Sequence, residues 1–558
     1  MSEFNESVSG VEPVKKKGKA PVIAGITAGV VAVVAGGSVI AYNTSAFVKN
    51  KVKLATLSPK EYYAWVNDVN TSEQIEYLSE SYDKYVDIMG KDSGKGINSK
   101  MDVTYTMSDG LKTLVKNAMG GTDKANKFVD NINNISLTLD ESVFQGIIGC
   151  NLGLDFNEND IADLEMSIDY ANLFMLGRVP QITERYLGMD LSASASSDED
   201  AKALEIVGKF YSDPEEILTK DEFRKLAEKY TSLWNECVSE VQQEKGEEVT
   251  VGKYTNEYTV LTVEMNEEFL ENTAEKYINA LKEDETVKNI IVTRLAVCDE
   301  ETYISDLDNA LEDIKSDEDG EDDDLILTLK TYVDPTGEIR GYTLKDSQDD
   351  GFELLFTGES EQTVNGIFSF TNSEEDMSVK GNINYTVNDD KYTGSVDMTV
   401  TEYDEDTKIL VEFTDLETVN KDYGYVNGNV NFSVNDSAPF AIALNSDGSS
   451  QKASFDIDIE DVNYGNIVLE ISSSEISELS VPDKSGAYII DENTDSLEGY
   501  ATEEELINFI SSVVKNTGFA ETDEEARAIV KSYLYGYSSP SSTYSSSDYN
   551  SNFDDIIY

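Results

Sequence analysis

The chain has 558 residues, with 43 Lys and Arg against 109 Asp and Glu, a formal net charge of −66, and no histidine. A field of that sign repels phosphate backbones, so no nucleic-acid partner is expected; cations and basic proteins are the partners electrostatics permits. Without histidine, Ser-His-Asp triads, histidine bases and histidine metal sites are excluded together, and three distant cysteines, Cys150, Cys237 and Cys298, form no C-x-x-C pair, which excludes a zinc knuckle and a dithiol motif.

The N-terminal stretch "VKKKGKAPVIAGITAGVVAVVAGGSVIAY" (14–42) carries four lysines and then an uncharged run, 20–42. Wound as a helix at about 1.5 Å per residue, that run is roughly 34 Å long and matches a hydrocarbon core of about 30 Å. A secretory h-region is shorter, about 7 to 15 residues, and a lipoprotein signal would need a cysteine directly after the run, whereas the first is Cys150. The run therefore reads as a retained single-pass transmembrane helix. Lys15, Lys16, Lys17 and Lys19 abut it on one side, while Lys49, Lys51 and Lys53 begin seven residues beyond it on the other. This bias places residues 1–19 as a short cytoplasmic head and the bulk of the chain outside the cell membrane. The lysines beside the anchor are the one feature that favours anionic lipid.

After the anchor, Ser58, Pro59 and Glu61 form a capping box with proline at the first helical position. A helix follows through Tyr62, Trp65 and Val66, continuing or restarting through Ile75, Tyr82 and Met89 until Gly90. Residues 101–107 alternate like a strand, two short helical stretches follow, and the block 135–177 reads as three or four strands joined by polar turns. Thr219 and Glu222 open a further helix through Phe223, Leu226, Tyr230, Trp234 and Cys237. A strand at 258–265, a helix through Phe269 and Leu281, a strand candidate at 287–298 and a helix through Ile304 and Ile314 complete a mixed α+β region over 58–315.

The acidic run "SDEDGEDDD" (316–324) separates this region from 325–473, where the period is two almost throughout. In "MSVKGNINYTVN" (377–388), Val379, Ile383 and Tyr385 share one face, and Lys380, Asn382 and Asn384 the other. Roughly ten such strands without crossover helices predict an antiparallel meander with one buried and one wet face, with turns at 334–337 and 445–448. "VKGNINYTVND" (379–389) echoes as "VNGNVNFSVND" (426–436), and "FTGESEQTVN" (356–365) resembles "FTDLETVN" (413–420), which points to a duplicated strand unit of about 50 residues. Residues 500–535 read as a C-terminal helical pair opened by Thr502 and Thr522. The Ser/Tyr-rich stretch 536–558 has too little apolar content for a core and is expected to be disordered.

Chemistry-bearing motifs are sparse. "DENTDSLEGYATE" (491–503) begins with EF-type spacing, but Ser496 stands where the turn glycine belongs and Thr502 where the bidentate Glu belongs. "DFNENDIAD" (155–163) lacks the glycine and suits a hairpin turn. "GKDSGKG" (90–96) is one residue short of a phosphate loop and has Gly96 in place of the magnesium-binding hydroxyl residue. Paired carboxylates can hydrolyse glycosides without histidine, but sequence does not select a pair among 109 acids. No catalytic, metal or cofactor-binding residue is therefore assigned, and Tyr385 and Phe432 read as core aromatics.

The lysine-bearing head, the Ala/Gly/Val anchor and "KVKLATLSPKEYY" (51–63) leading into a helix resemble single-pass extracytoplasmic membrane proteins of Gram-positive, Clostridia-type bacteria. The β-rich part is similar in pattern to the half-barrel bowls of lipoprotein carriers, which hold acyl chains. The resemblance implies no catalytic residues. Together these features predict an α+β chain, an N-terminal transmembrane helix followed by curved antiparallel sheets with packed amphipathic helices. The expected role is non-enzymatic: binding an apolar envelope ligand or a basic or envelope protein. The alternatives are a structural or adhesive surface protein and an acidic carboxylate hydrolase.

Overall fold

The computed structural model describes residues 44–535 except 91–93, 194–196, 317–325, 361, 374–375, 404, 436, 438–439, 460–461 and 491–498. The expected head (1–19), anchor (20–42) and tail (536–558) lie outside the described residues, as does nearly all of the acidic run 316–324. Among the described residues no helix is long and apolar enough to cross a membrane.

The first half of the chain is α1 (Thr44–Thr56), α2 (Pro59–Met89), β1 (Gly96–Met107), α3 (Asp109–Ala118), α4 (Asp123–Asn131), β2 (Asn134–Phe144), β3 (Ile147–Phe156), β4 (Asn159–Asp169), β5 (Phe174–Arg178), β6 (Leu187–Asp190), α5 (Asp198–Ser212), α6 (Pro214–Ile217), α7 (Lys220–Cys237), β7 (Gln242–Val251), β8 (Tyr254–Met265), α8 (Glu267–Glu283), α9 (Glu285–Lys288) and α10 (Glu300–Ser316). The second half is a run of strands, β9 (Leu327–Val333), β10 (Ile339–Lys345), β11 (Gly351–Ser360), β12 (Thr363–Asn372), β13 (Met377–Asn388), β14 (Lys391–Glu402), β15 (Glu405–Asn420), β16 (Tyr425–Val434), β17 (Phe440–Ser446), β18 (Ser450–Ile459), β19 (Val462–Ile476) and β20 (Tyr488–Ile490), closed by α11 (Glu503–Asn516) and α12 (Asp523–Tyr535). The chain is thus α+β, with a large antiparallel sheet accompanied by helices.

Among the described residues all 20 strands belong to one sheet. Its spatial order runs β7 to β19 in sequence, then β1 to β6, then β20. Every pairing is antiparallel except β6 with β20. Two meanders are spliced where β1 meets β19 over twelve residues, Gly96 opposite Ile476 through Met107 opposite Gly465. The sheet therefore crosses the boundary expected at 316–324, through β8–β9 and β19–β1.

Local chemistry explains the helix starts. Ser58, Thr219 and Thr502 each form a full capping box, with Glu61, Glu222 and Glu505 returning to the cap backbone. α2 runs unbroken for 31 residues. Its aromatic face, Tyr62, Tyr63 and Val66, joins Trp234 and Val238, Leu270 of α8, and Leu261, Val263, Met265, Leu329, Val333 and Tyr342 of β8–β10 in the main core.

Three expectations need correction or sharpening. Residues 287–298 are not a strand: 287–288 end α9, Asn289–Arg294 form a π-helical turn, and 295–298 are irregular. Asp284 starts this helix by accepting from the amides of Thr286 and Val287 at 2.9 and 3.2 Å, and the Arg294 guanidinium is then held by both oxygens of Glu222. Anchored at both ends, the β-branched run becomes helical despite its strand propensity. The strand expected at 101–107 begins five residues earlier, at Gly96, and β7, which lies outside the expected elements, precedes the strand expected at 258–265. The echoed segments lie on β13 and β16, which run in opposite directions, and 356–365 spans a hairpin whereas 413–420 lies within β15. The copies are not related by a simple step along the sheet.

Candidate functional site

Register assigns every strand residue to one of two faces. One row crosses the sheet as Leu261, Thr331, Tyr342, Leu354, Phe368, Gly381, Met398 and Ile409. The same face continues over the splice as Leu444, Ala453, Leu469, Val103, Leu137, Leu154 and Ala162. The opposite face carries exposed Lys380, Asn382, Asn384, Asp397, Lys452 and Glu470. The period-two pattern thus extends as one apolar surface over most of the strands.

Helices cover only part of it. Under α2, α7 and α8, Leu261 is fully buried and Tyr342 is 5% exposed. Farther along the same face Phe370 is 40% exposed, Phe432 38%, Leu137 39% and Leu154 38%. Ile383, Val396, Met398 and Leu469 are half-buried, and none of these residues joins a buried cluster. Tyr385 and Phe432, expected as core, therefore line an incompletely covered face.

The sheet arches toward this face. α2 is pinned at the β9–β10 turn, where Asn70 donates to the Gly337 carbonyl at 3.1 Å and accepts from the Ile339 amide at 3.2 Å. It meets the β15–β16 loop through Lys84 and Asp422 at 3.3 Å, and it also contacts β1 and β2. These attachments lie along one end of the strands. Ten strand spacings separate β10 from β1, a path of about 48 Å at ~4.8 Å each. From Asn70 to Met89 the helix is only about 29 Å long. The strand path is longer than the helix that meets both of its ends, so the sheet curves, and a helix packed on the apolar face lies on the concave side. The half-exposed apolar surface is thus the inside of an arch, with α2 as a strut across one rim.

Gly366, Gly381 and Gly394 sit on successive strands of the inner face. A Cβ on Gly366 would lie 2.6 Å from a ring atom of Phe356, and one on Gly381 would collide with the Phe368 ring and stand 2.8 Å from the Asp397 carbonyl. Each ring reaches over the glycine of the neighbouring strand, into the space that a side chain there would occupy.

The inner face changes character toward the rim where β1 begins. Ser99 and Ser473 hydroxyls are 3.2 Å apart across β1–β19, and Glu141 and Cys150 are the next partners on β2 and β3. Burial pushes the Cys150 thiol up, and Glu141 and Asp140 add to this, so the thiol form is favoured. Tyr385 and Tyr105 are likewise raised by burial. All three cysteines are free thiols.

Other candidates resolve into structure. Asp334 of the β9–β10 turn accepts from the amides of Thr336, Gly337 and Glu338, and its second oxygen takes Arg340 at 2.7 Å; with Asn50 and Tyr62 it forms a buried joint beneath α2. There burial pushes the Tyr62 hydroxyl up to about 12, with Asp334 adding to it against the Asn50 hydrogen bond. Glu222 is pulled down to about 2, first by Arg294. In 155–163, Asn157 and Glu158 take left-handed φ of 52° and 63° in the β3–β4 turn, the conformation of a tight hairpin. Residues 491–498 of the EF-like stretch and 91–93 of the phosphate-loop-like stretch lie outside the described residues, and Thr502 caps α11. Among the described residues no group of three Asp, Glu or Cys is placed to hold a metal ion. On the outer face, a cleft of about 430 Å³ lies between the Gly252–Lys253 turn and β12–β14, lined by Asn365, Asn384, Thr386 and Ser395.

No protein-family model and no curated protein matches the chain. Among solved structures, one titled "Salmonella typhi OmpF complex with Daunomycin" aligns with 68% of this chain and 97% of its own at 8% identity, but with a TM-score of 0.17, too low a likeness to bear on fold or function.

Proposed function

We propose that the chain is a membrane-anchored, non-enzymatic extracytoplasmic protein that holds an apolar chain, the acyl part of an envelope lipid, against the inner face of its arch. The carrying observation is the contiguous inner surface on which Phe370, Phe432, Leu137 and Leu154 stay 38 to 40% exposed while the same face under the helices is closed. Large exposed apolar patches mark interaction sites. Strands of 10 to 12 residues give the surface a length of roughly 33 to 40 Å, enough for an extended acyl chain. Burying such a chain is worth on the order of 0.8 kcal/mol per methylene before the cost of association. The polar rim at Ser99, Ser473 and Glu141 gives an amphiphile a preferred direction, headgroup toward the rim and tail along the strands.

The resemblance to single-pass extracytoplasmic proteins of Clostridia-type bacteria belongs to the same proposal, as does the anchor at 20–42. The test is extraction of the full chain in a mild detergent, followed by lipid analysis and displacement of a fluorescent fatty acid. Bound lipid near one equivalent or more, lost when Phe432 and Phe370 are made polar, is expected. A chain without lipid that fails to bind the probe would refute it.

A further inference from the structure

From Pro13 to Lys60 the chain contains no Asp or Glu, although the whole carries 109. The described part of this stretch is α1 and the first residues of α2. The inward side of α1 holds Asn50, 2% exposed, with the Tyr62 hydroxyl donating to it at 2.7 Å, and Leu54 packed on the main core. α1 is therefore fixed rigidly to the body of the protein. Its outward side presents Val48, 62% exposed, and Val52, 55% exposed, one turn apart, with exposed Lys49 and Lys51 to either side. An apolar pair flanked by lysines, on a helix whose other face is committed to the core, lacks a protein partner among the described residues.

We infer that the outward face of α1 docks on an anionic phospholipid surface, with Val48 and Val52 at the headgroup–acyl boundary and Lys49 and Lys51 on lipid phosphates. Two observations select this occupant. The charge is complementary: these lysines are cations in a chain of net charge −66, so the protein's other surfaces are repelled by the same bilayer. The uncharged run 20–42 also ends two residues before α1 begins at Thr44, so a bilayer holding that run is within reach. Docking through a helix clamped by Asn50 and Leu54 would set the tilt of the whole arch over the membrane. The inference rests on the anchored reading for its geometry, but Lys49, Lys51, Val48 and Val52 would also bind such a surface peripherally.

The test reconstitutes the full chain with vesicles of phosphatidylcholine alone or with phosphatidylglycerol. It reads flotation, resistance to alkaline carbonate, and amide exchange of 44–57. Expected are carbonate-resistant flotation with both vesicles and slowed exchange of α1 only where phosphatidylglycerol is present. Lys49→Gln with Lys51→Gln should abolish most of that protection, roughly thirtyfold at about 1 kcal/mol per lysine. Val48→Ser with Val52→Ser should reduce it at unchanged flotation. Carbonate-resistant flotation with equal α1 exchange in both lipids overturns the docking while the anchor stands. Carbonate-extractable binding that needs phosphatidylglycerol and the lysines overturns the anchor and upholds the docking. No flotation with either vesicle overturns both.

Discussion

Replacing Phe432 by Asp separates an open inner face from a closed core. Phe432 retains 38% of its exposure on the inner face of β16. Full burial of a Phe side chain is worth about 1.5 to 3 kcal/mol, so the part lost here is about 1 to 2 kcal/mol. The new carboxylate can reach water across an open arch and stays ionised at little further cost. Leu261→Asp, on the same face but fully buried under the helices, leaves an unpaired charge in the core and should cost at least about 3 to 5 kcal/mol or prevent folding. Urea unfolding followed by tryptophan fluorescence reads both variants, because the two tryptophans, Trp65 and Trp234, sit at the main core and report its loss. Phe432→Asp should stay folded with a slightly lower midpoint and bind the fluorescent fatty acid several-fold more weakly. A loss of about 4 kcal/mol or more, or undiminished fatty-acid binding, would sink the open-face account.

Two further outcomes follow from named contacts. Gly381→Ala drives a Cβ into the Phe368 ring and against the Asp397 carbonyl; it should cost about 1 to 3 kcal/mol in urea unfolding and, by lifting the ring into the arch, lower the amount of bound fatty acid. Glu222 has its folded pKa pulled to about 2 by Arg294 and the Thr219 cap, so its contribution is fully present above about pH 4.5 and is lost as pH falls toward 2. Glu222→Gln should therefore lower stability at pH 7 by on the order of 2 kcal/mol and flatten the stability profile between pH 4.5 and 2; a wild-type slope retained in the variant would rule out this pair as its source.

What could be read from sequence was local. The boxes at Ser58, Thr219 and Thr502 declare helix starts because cap and Glu lie within one turn, and the alternation of 377–388 declares its faces because pleating forces it. The splice of β1 onto β19 was not legible: Gly96 meets Ile476, and no local rule names a partner 380 residues away. Nor was the continuity of α2, which depends on docking Tyr63 against Trp234 at 3.0 Å and stacking Tyr82 on Phe223. The π-helical turn escaped because Glu222 and Asp284, not its own β-branched residues, decide its conformation. Most important for function, alternation says which face is apolar but not whether anything covers it. Phe352 and Phe370 face one another across β11–β12, yet Phe352 packs on the main core and Phe370 stays 40% exposed.

The occupant of that face is constrained by how the sheet ends. At one edge β7 carries Glu244, Lys245, Glu247 and Glu248 along a strand that, among the described residues, pairs only with β8. Charged edge strands discourage further pairing, so edge-to-edge growth is disfavoured at β7. A second sheet packs face to face at a separation of about 10 Å, over evenly facing surfaces. Here the face is concave, and α2 crosses its rim from Asn70 to Lys84. Phe432 lies near the far end of β16, about seven residues from the rim that the strut crosses. On the proposed reading, a flexible apolar chain follows the curve of the inner face past the Phe356 and Phe368 rings beside Gly366 and Gly381.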